Sequence, residues 1–266
     1  MPRNSTRQTC LHSQLWINPI PALMQERTDF YQNRSHYFAI QTPHKQLTVT
    51  AISDVEIQGF ENPALKSETW ENVREWVGTD NRPESIEARD FRLDSAFITT
   101  QDQTIAEFAY LSFTSARPLL EAVMDLTTRI YQEFSYDPNF TTIATPLSEV
   151  LEHRRGVCQD FAHLAIACVR TVGLPARYVS GYLETLPPPG QTKLHGVDAS
   201  HAWFSVYVPT LGWIDFDPTN NQMLTEQYIT TAWGRDYEDV TPLKGIIFGG
   251  GEHQLEVSVD VERLFY

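Results

Sequence analysis

The segment between residues 156 and 175 constrains the fold of this 266-residue chain more than any other. Apolar side chains recur there at intervals of three and four residues, which predicts a helix with one face in a core. The apolar positions are Phe161, Leu164, Ala165, Cys168, Val169 and Val172. Gly173 and Pro175 predict the end of this helix, and its first turn contains Cys158.

Cys158 is the first candidate for a chemical role. In the first turn of a helix, unpaired backbone N–H groups and the helix dipole favour an anion, which lowers the pKa of a thiol and populates the nucleophilic thiolate. A lone cysteine is nevertheless more often a small buried apolar residue, and Cys168 in the middle of the stripe fits that description. A catalytic Cys158 would also need a base and a residue that orients the base.

A predicted β-hairpin between residues 200 and 217 offers both. If Tyr207 pairs with Trp213 across the turn, His201 and Asp217 lie on one face as diagonal neighbours. Such neighbours are roughly 7–8 Å apart at Cα, within reach of an imidazole–carboxylate hydrogen bond. Asp215 shares that face because side chains alternate along a strand, so spacing alone leaves two acids as candidates.

The first hundred residues favour strands. We expect strands around 11–17, at 36–41 and at 46–57, with Pro43 and His44 joining the last two as a hairpin. A short helical pattern follows at 68–77. These patterns predict a small antiparallel β unit.

The pattern then changes to helical. The polar stretch 78–90 is expected to be a surface connection. Helices are predicted from Pro118 to Phe134 and from Pro146 to Arg155, the second with Thr145 as N-cap and Gly156 as its stop. We place a domain boundary near residues 100–110.

Charge and cysteine content exclude several classes of protein. The chain has 20 Lys and Arg against 34 Asp and Glu, a net charge of −14, which repels nucleic acids and anionic membranes. Three cysteines do not make a secreted disulfide scaffold. Neither a secretory leader nor an apolar run of roughly 18 residues is visible, so we expect a soluble cytoplasmic protein.

A metal enzyme is an alternative, with His153, His163, His195 or Asp160 as ligands. His163 lies one helical turn after Asp160, but such a pair without a longer metal motif is weak. We expect His163 to be a hydrogen-bonded structural residue and predict no metal site.

Four segments together resemble the bacterial transglutaminase-like family, whose members are often labelled as cysteine proteases. They are GVCQDFAH at 156–163, LPARYVSGY at 174–182, ASHAW at 199–203 and GWIDFDPTN at 212–220, with WGRDY at 233–237 and GGG at 249–251 in support. The resemblance implies an α+β fold, with a transglutaminase-like (papain-like) core preceded by an antiparallel β-sandwich-like domain. We place the β-rich domain at 1–105, short at its start compared with the family, and the catalytic domain at 106–266.

By that resemblance Cys158 is the nucleophile, His201 the base and Asp217, rather than Asp215, the acid that orients the base. The expected function is hydrolysis of a peptide or protein amide through a thioester, without metal or organic cofactor. The backbone N–H of Cys158 is an expected oxyanion donor, and Gln159 is a weaker second candidate. The alternatives are an amine-incorporating transglutaminase and a non-catalytic interaction module on the same fold.

A long connection separates the strand that ends near residue 183 from His201. The segment 184–200 has no clear period and contains the stiff tract Pro187 to Gly190, together with His195. Loops of this length in compact domains are usually functional or disordered. We expect this one to border the acyl-binding cleft, with His195 as a polar contact to substrate.

Overall fold

The computed structural model describes residues 1–59, 64, 67–186, 198–249 and 254–264. Its strands are β1 (Gln8–Asn18), β2 (Leu23–Thr28), β3 (Arg34–Ala39), β4 (Thr48–Ile57), β5 (Ser135–Tyr136), β6 (Arg155–Gly156), β7 (Ala176–Leu183), β8 (Ala199–Val208), β9 (Gly212–Asp217), β10 (Gln222–Met223) and β11 (Tyr228–Gly234). Its α-helices are α1 (Trp70–Thr79), α2 (Pro83–Asp90), α3 (Gln103–Tyr110), α4 (Leu119–Glu133), α5 (Leu147–His153) and α6 (Cys158–Thr171). A 3₁₀ turn follows at Tyr237–Val240.

The N-terminal unit is antiparallel, as predicted, and consists of two strand pairs, one of which contains a strand that we did not predict, β2. β1 pairs with β4 along its whole length, and β2 pairs with β3. The predicted hairpin between 36–41 and 46–57 is therefore wrong. β3 instead returns from β2 through the turn at residues 29–33, and this leaves β4 free to pair with the distant β1. Local turn chemistry at Pro43 and His44 does not determine which strand a neighbour pairs with.

Two helices connect this unit to the rest of the chain. α1 matches the predicted helical pattern, and its Trp70, Val73 and Val77 are buried in the same apolar core as α4 and α6. The stretch 78–90 is only partly the surface connection that we expected, because α2 begins at Pro83. Proline at the first helical position and Arg89 in the last turn both favour this helix. The proposed domain boundary near residue 105 stays a prediction.

The core is a five-stranded antiparallel sheet in the order β10-β9-β8-β7-β11, against which α6 packs through β7 and β8. The predicted face of Leu164, Ala165, Cys168 and Val169 is fully buried. The other sides of α6 are buried as well, because α3, α4 and α5 also pack against it. The helix that begins at Cys158 is therefore held by the core on all sides.

The predicted helices at 118–134 and 146–155 are present with small shifts. Pro118 is the N-cap of α4, whereas α5 has Pro146 rather than Thr145 as its N-cap. α5 ends at His153, before the predicted stop at Gly156, because the C-cap Arg154 has a left-handed backbone (φ 53°) that turns the chain. The chain after Arg154 then forms β6, which runs parallel to β5 and leads directly into α6.

Side-chain amides fasten the N-terminal unit to the open edge of the sheet at β11. The Gln8 amide donates to the Thr230 carbonyl (2.7 Å) and accepts from the Thr230 N–H (2.8 Å). The Asn33 amide does the same with Trp233, at 2.8 and 3.0 Å. These contacts pair the backbone groups that an edge strand would otherwise expose. The guanidinium of Arg3 lies 3.0 Å from the centre of the Trp233 ring.

Across the residues described above, none of the helices has both the length and the apolar character that crossing a bilayer requires.

Candidate active site

The hairpin formed by β8 and β9 has the predicted register, with Tyr207 opposite Trp213. As this register predicts, His201 and Asp217 meet near the open end of the hairpin. The Nε2 atom of His201 donates to Oδ2 of Asp217 at 2.7 Å. Both side chains are buried, with exposures of 6% and 0%.

The carboxylate of Asp217 accepts five hydrogen bonds. Its Oδ1 accepts from the backbone N–H groups of Thr219 (2.8 Å) and Asn220 (3.2 Å). Its Oδ2 accepts from His201, from the Asn220 amide (2.6 Å) and from the Tyr228 hydroxyl (2.6 Å). A buried carboxylate with this many donors is fixed in position and stays ionised.

The environment shifts the two partners in opposite directions. Burial on its own would raise the pKa of Asp217, but hydrogen bonds from His201, Tyr228 and Asn220 outweigh it and lower the pKa. Burial on its own would lower the pKa of His201, but hydrogen bonds with Asp217 and Cys158 and their charges raise it to about 10. The pair therefore favours an imidazolium next to a carboxylate at neutral pH.

Cys158 is the first residue of α6 and is half-buried. Its side chain lies close enough to His201 to be among the causes that raise the pKa of that imidazole. Because Nε2 of His201 is occupied by Asp217, Nδ1 is the ring nitrogen left for the sulfur. Gln159, the weaker oxyanion candidate, is half-buried beside Cys158, and its role stays a prediction.

A local motif fixes the start of α6. The carboxylate of Asp160 accepts hydrogen bonds from the Val157 N–H (2.8 Å) and the Thr141 hydroxyl (2.6 Å). A Cβ at Gly156 would lie 2.8 Å from that carboxylate, so a glycine is required there. Burial raises the pKa of Asp160, and the two hydrogen bonds oppose this rise. Asp160, which we considered as a metal ligand, therefore serves as an N-terminal cap.

The rival acid, Asp215, contacts a different set of residues. Its Oδ1 accepts from the Ser205 hydroxyl and from the Trp203 indole N–H (3.4 Å), and its Oδ2 lies 3.6 Å from the Arg7 guanidinium. Spacing left Asp215 and Asp217 as candidate partners of His201. Of these two acids, Asp217 is the one with a described contact to His201.

Three residues outside our candidate list complete the site. Asn220 lies in the segment GWIDFDPTN and could have been noticed there. Tyr228 had no sequence signal, because it reaches the site only through the pairing of β11 with β7. The Trp203 ring lies 6.1 Å from that of His201 and 5.4 Å from that of Tyr228. A Cβ at Gly181 would lie 2.4 Å from the Trp203 ring, so a side chain there would displace it.

His163 is a buried structural residue, as predicted. Its Nε2 accepts from the Tyr237 N–H at 3.1 Å, and its ring stacks on Phe97. Burial lowers the pKa of His163 to about 4, although Asp236 opposes this, so the ring is neutral and able to accept. Over the described part of the chain, no three His, Cys, Asp or Glu residues are grouped so as to hold a metal ion.

The long loop before His201 is described only at its ends. The tract Pro187 to Gly190 and His195 lie outside the described residues, so their expected roles stay predictions. At the ends of the loop, Asp198 accepts a hydrogen bond from the Thr185 N–H at 2.6 Å. This contact ties the start of the loop to its finish.

Comparison with known proteins identifies the family. Residues 109–218 match the transglutaminase-like superfamily, and residues 1–56 match the bacterial transglutaminase-like N-terminal region. An uncharacterized protein of Mycobacterium bovis is 45% identical over 269 residues, covering 98% of this chain and 84% of the relative. A protein-glutamine gamma-glutamyltransferase of Pseudomonas aeruginosa is 31% identical over 103 residues, which is 35% of this chain and 15% of that enzyme.

A solved structure from Cytophaga hutchinsonii, provisionally titled a cysteine protease, has the same fold. The two superpose with a TM-score of 0.70 at 23% identity, over 91% of this chain and 76% of that one. This likeness confirms the expected α+β fold with a papain-like core and antiparallel sheets. The chain belongs to the transglutaminase-like superfamily and has the bacterial transglutaminase-like N-terminal region.

Proposed function

We propose that this protein is a thiol-dependent acyl-transfer enzyme that hydrolyses a peptide or protein amide. Cys158 is the nucleophile, His201 the general base and acid, and Asp217 the residue that orients His201. The observation that carries the proposal is the buried, hydrogen-bonded pair of His201 and Asp217, with Cys158 acting on the same imidazole from the start of α6. No cofactor is needed for this chemistry.

The reaction begins with the proton of Cys158 on Nδ1 of His201. The sulfur attacks the amide carbonyl carbon and forms a C–S bond, while the negative charge moves to the carbonyl oxygen. The Cys158 N–H at the start of α6 faces no helical partner and stabilises that oxyanion. His201 then gives its proton to the amide nitrogen, the C–N bond breaks, and a thioester remains.

Water completes the cycle. His201 takes a proton from water as its oxygen attacks the thioester carbonyl, and it returns the proton to sulfur as the C–S bond breaks. Throughout, Asp217 holds the ring through Nε2 and stabilises the imidazolium. Because Asp217 accepts four further hydrogen bonds, it stays ionised and does not take the proton itself.

Amine incorporation is the second candidate, with a primary amine in place of water at the thioester. The relative of Pseudomonas aeruginosa named as a protein-glutamine gamma-glutamyltransferase favours it. A non-catalytic interaction module is less well supported, since a module has no need of a cysteine, a histidine and an aspartate in mutual contact.

Thiol labelling tests the proposal first. If His201 takes up the proton of Cys158, iodoacetamide should modify Cys158 faster than it modifies a model thiol at pH 6. The Cys158→Ala variant should lose this fast phase, and Cys10→Ser, at a partly exposed free cysteine, should keep it. A rate at Cys158 equal to that of a model thiol would contradict the ion pair.

Product analysis then separates the two acyl acceptors. Dimethylcasein is incubated with the enzyme and dansylcadaverine. Hydrolysis is measured as new peptide ends and as ammonia released in excess of dansyl incorporation, because acylation by a glutamine side chain releases ammonia whichever acceptor follows. We expect hydrolysis products to dominate and to vanish in Cys158→Ala. Dominant dansyl incorporation would favour the transglutaminase alternative, and an inert protein with an unreactive Cys158 would favour the interaction module.

A further inference from the structure

A cleft of about 400 Å³ opens beside the candidate active site. Four of its seven lining side chains are aromatic and none is charged. Its volume lies within the range of about 300–1,000 Å³ that is typical of small-ligand sites. In a chain with a net charge of −14, an uncharged aromatic cleft suits an apolar group.

One wall of the cleft comes from the elements that carry Cys158. Phe161 lies three residues after Cys158 on α6, and Tyr136 on β5 pairs with Gly156, two residues before Cys158. Burial raises the pKa of Tyr136, and the charges of Cys158 and Asp160 raise it further. Phe134 packs edge-on against Phe161, with ring centres 5.8 Å apart.

The opposite wall is formed by the two residues that follow Asp217 in the chain. Pro218 and Thr219 line the cleft, and the Thr219 N–H is one of the donors to the Asp217 carboxylate. The Thr219 hydroxyl oxygen is buried and has no hydrogen-bond partner. A buried hydroxyl without a partner costs free energy.

The cleft is therefore lined by residues that are close in the chain to the proposed nucleophile and to the orienting acid. Tyr131 and Tyr136 form its rim, with exposures of 51% and 57%, while Phe134 and Phe161 form its buried base. We propose that this cleft is a specificity subsite that binds an aromatic or branched aliphatic substrate side chain next to the scissile amide.

This inference rests on the proposed function, and its test uses probes that react with Cys158 without turnover. Acetylphenylalanine chloromethyl ketone and N-benzyl-2-chloroacetamide place a ring on either side of the reacting carbon. Acetylglycine chloromethyl ketone and 2-chloroacetamide are the matched probes without a ring. In each case a C–S bond forms and chloride leaves.

We expect at least one ring-bearing probe to modify Cys158 about tenfold faster than its matched probe, since burying a ring provides that much binding energy. Replacing both rim tyrosines (Tyr131→Ala with Tyr136→Ala) should bring the ratio near one. Thr219→Val, which keeps the shape of this wall and removes a buried hydroxyl, should leave the ratio close to the wild-type value. Tyr110→Ala is the matched control, because Tyr110 is 50% exposed on α3 and does not line the cleft.

The outcomes separate this inference from the function beneath it. Fast reaction of Cys158 with 2-chloroacetamide but a ratio near one for both ring-bearing probes would overturn the subsite and leave the nucleophile intact. If Cys158 is unreactive towards every probe, the proposed function fails, and the cleft is tested in Cys158→Ala by NMR titration with acetylphenylalaninamide. Shifts confined to the cleft residues support the subsite, and their absence overturns it.

Discussion

Two carboxylates on one strand, Asp215 and Asp217, occupy contrasting sites. Both lie on β9, both are buried, and both point to the same face of the hairpin. Asp217 contacts His201, a titratable side chain whose pKa is raised to about 10, together with the neutral donors Tyr228 and Asn220. Asp215 instead contacts Ser205, Trp203 and Arg7.

The difference shows that partners, rather than residue type or strand position, decide what a buried acid can do. Each carboxylate offsets the cost of its burial with hydrogen bonds. The partners of Asp215 keep one charge state through the neutral range, so that carboxylate only stabilises the fold. The histidine partner of Asp217 is able to accept and release a proton, so under the proposed function that carboxylate also orients the base.

The largest expected effect separates the two acids by activity. Asp217→Asn should lower kcat by about 10³–10⁴-fold, because an amide neither fixes the required tautomer of His201 nor stabilises the imidazolium. Asp215→Asn should leave kcat within a few-fold of the wild type. Both variants are compared by turnover and by circular dichroism, and equal losses in two folded variants would contradict the assignment.

The same two variants should differ in the pH dependence of stability. The raised pKa of His201 adds stability that is complete below its unfolded value of about 6.5 and is lost as the pH rises towards about 10. The lowered pKa of Asp217 adds stability above its unfolded value of about 4, which is lost as the pH falls below it. Both contributions are therefore largest at roughly pH 5 to 6.5.

Chemical unfolding at a series of pH values measures this effect. The wild type should exceed Asp217→Asn in free energy of unfolding most at about pH 6, with a difference that shrinks towards about pH 10. The corresponding difference for Asp215→Asn should stay flat over this interval. A flat difference for Asp217→Asn would mean that its partner is not charged.

A pair of single hydroxyl deletions compares the donors to each acid. Tyr228→Phe removes one donor to Asp217 and should lower the free energy of unfolding by about 1 kcal/mol and kcat by roughly tenfold. Ser205→Ala removes one donor to Asp215 at a similar cost in stability and should leave kcat unchanged. A shifted pH profile of kcat/KM in Tyr228→Phe alone would identify Tyr228 as a positioning residue.

The smallest expected effect concerns Arg7, which connects the N-terminal unit to Asp215. The guanidinium is partly exposed and 3.6 Å from the carboxylate, so Arg7→Ala should cost no more than about 1 kcal/mol of unfolding free energy. Turnover should stay within twofold of the wild type. A large loss of turnover would show that the N-terminal unit acts on the site through Asp215.

Much of the site could be predicted because it is built from local patterns. The spacing of apolar residues after Cys158 predicted α6, and the turn between β8 and β9 fixed the register that brings His201 to Asp217. The choice between the two acids came from the family resemblance and not from the spacing. In the structure, His201 likewise contacts Asp217, whereas Asp215 accepts from Ser205.

Other features depend on residues far apart in the chain. β4 pairs with β1 rather than with its neighbour β3, and Tyr228 reaches Asp217 only because β11 joins the sheet beside β7. The burial of α6 on every side likewise requires α3, α4 and α5 to arrive from elsewhere. No periodicity in a short window carries information on such partners.

By itself, the sequence determined the elements with strong local rules: a helix that begins at Cys158, a hairpin that aligns His201 with an acid, and an antiparallel unit before them. Tertiary structure decided which acid contacts a titratable side chain and which hydroxyl donates to that acid. It also decided which aromatic rings line a cleft next to the first turn of α6. The physical reason is that helix periodicity and turn chemistry act over a few residues. Burial and hydrogen bonding of a charged group depend on every segment packed around it.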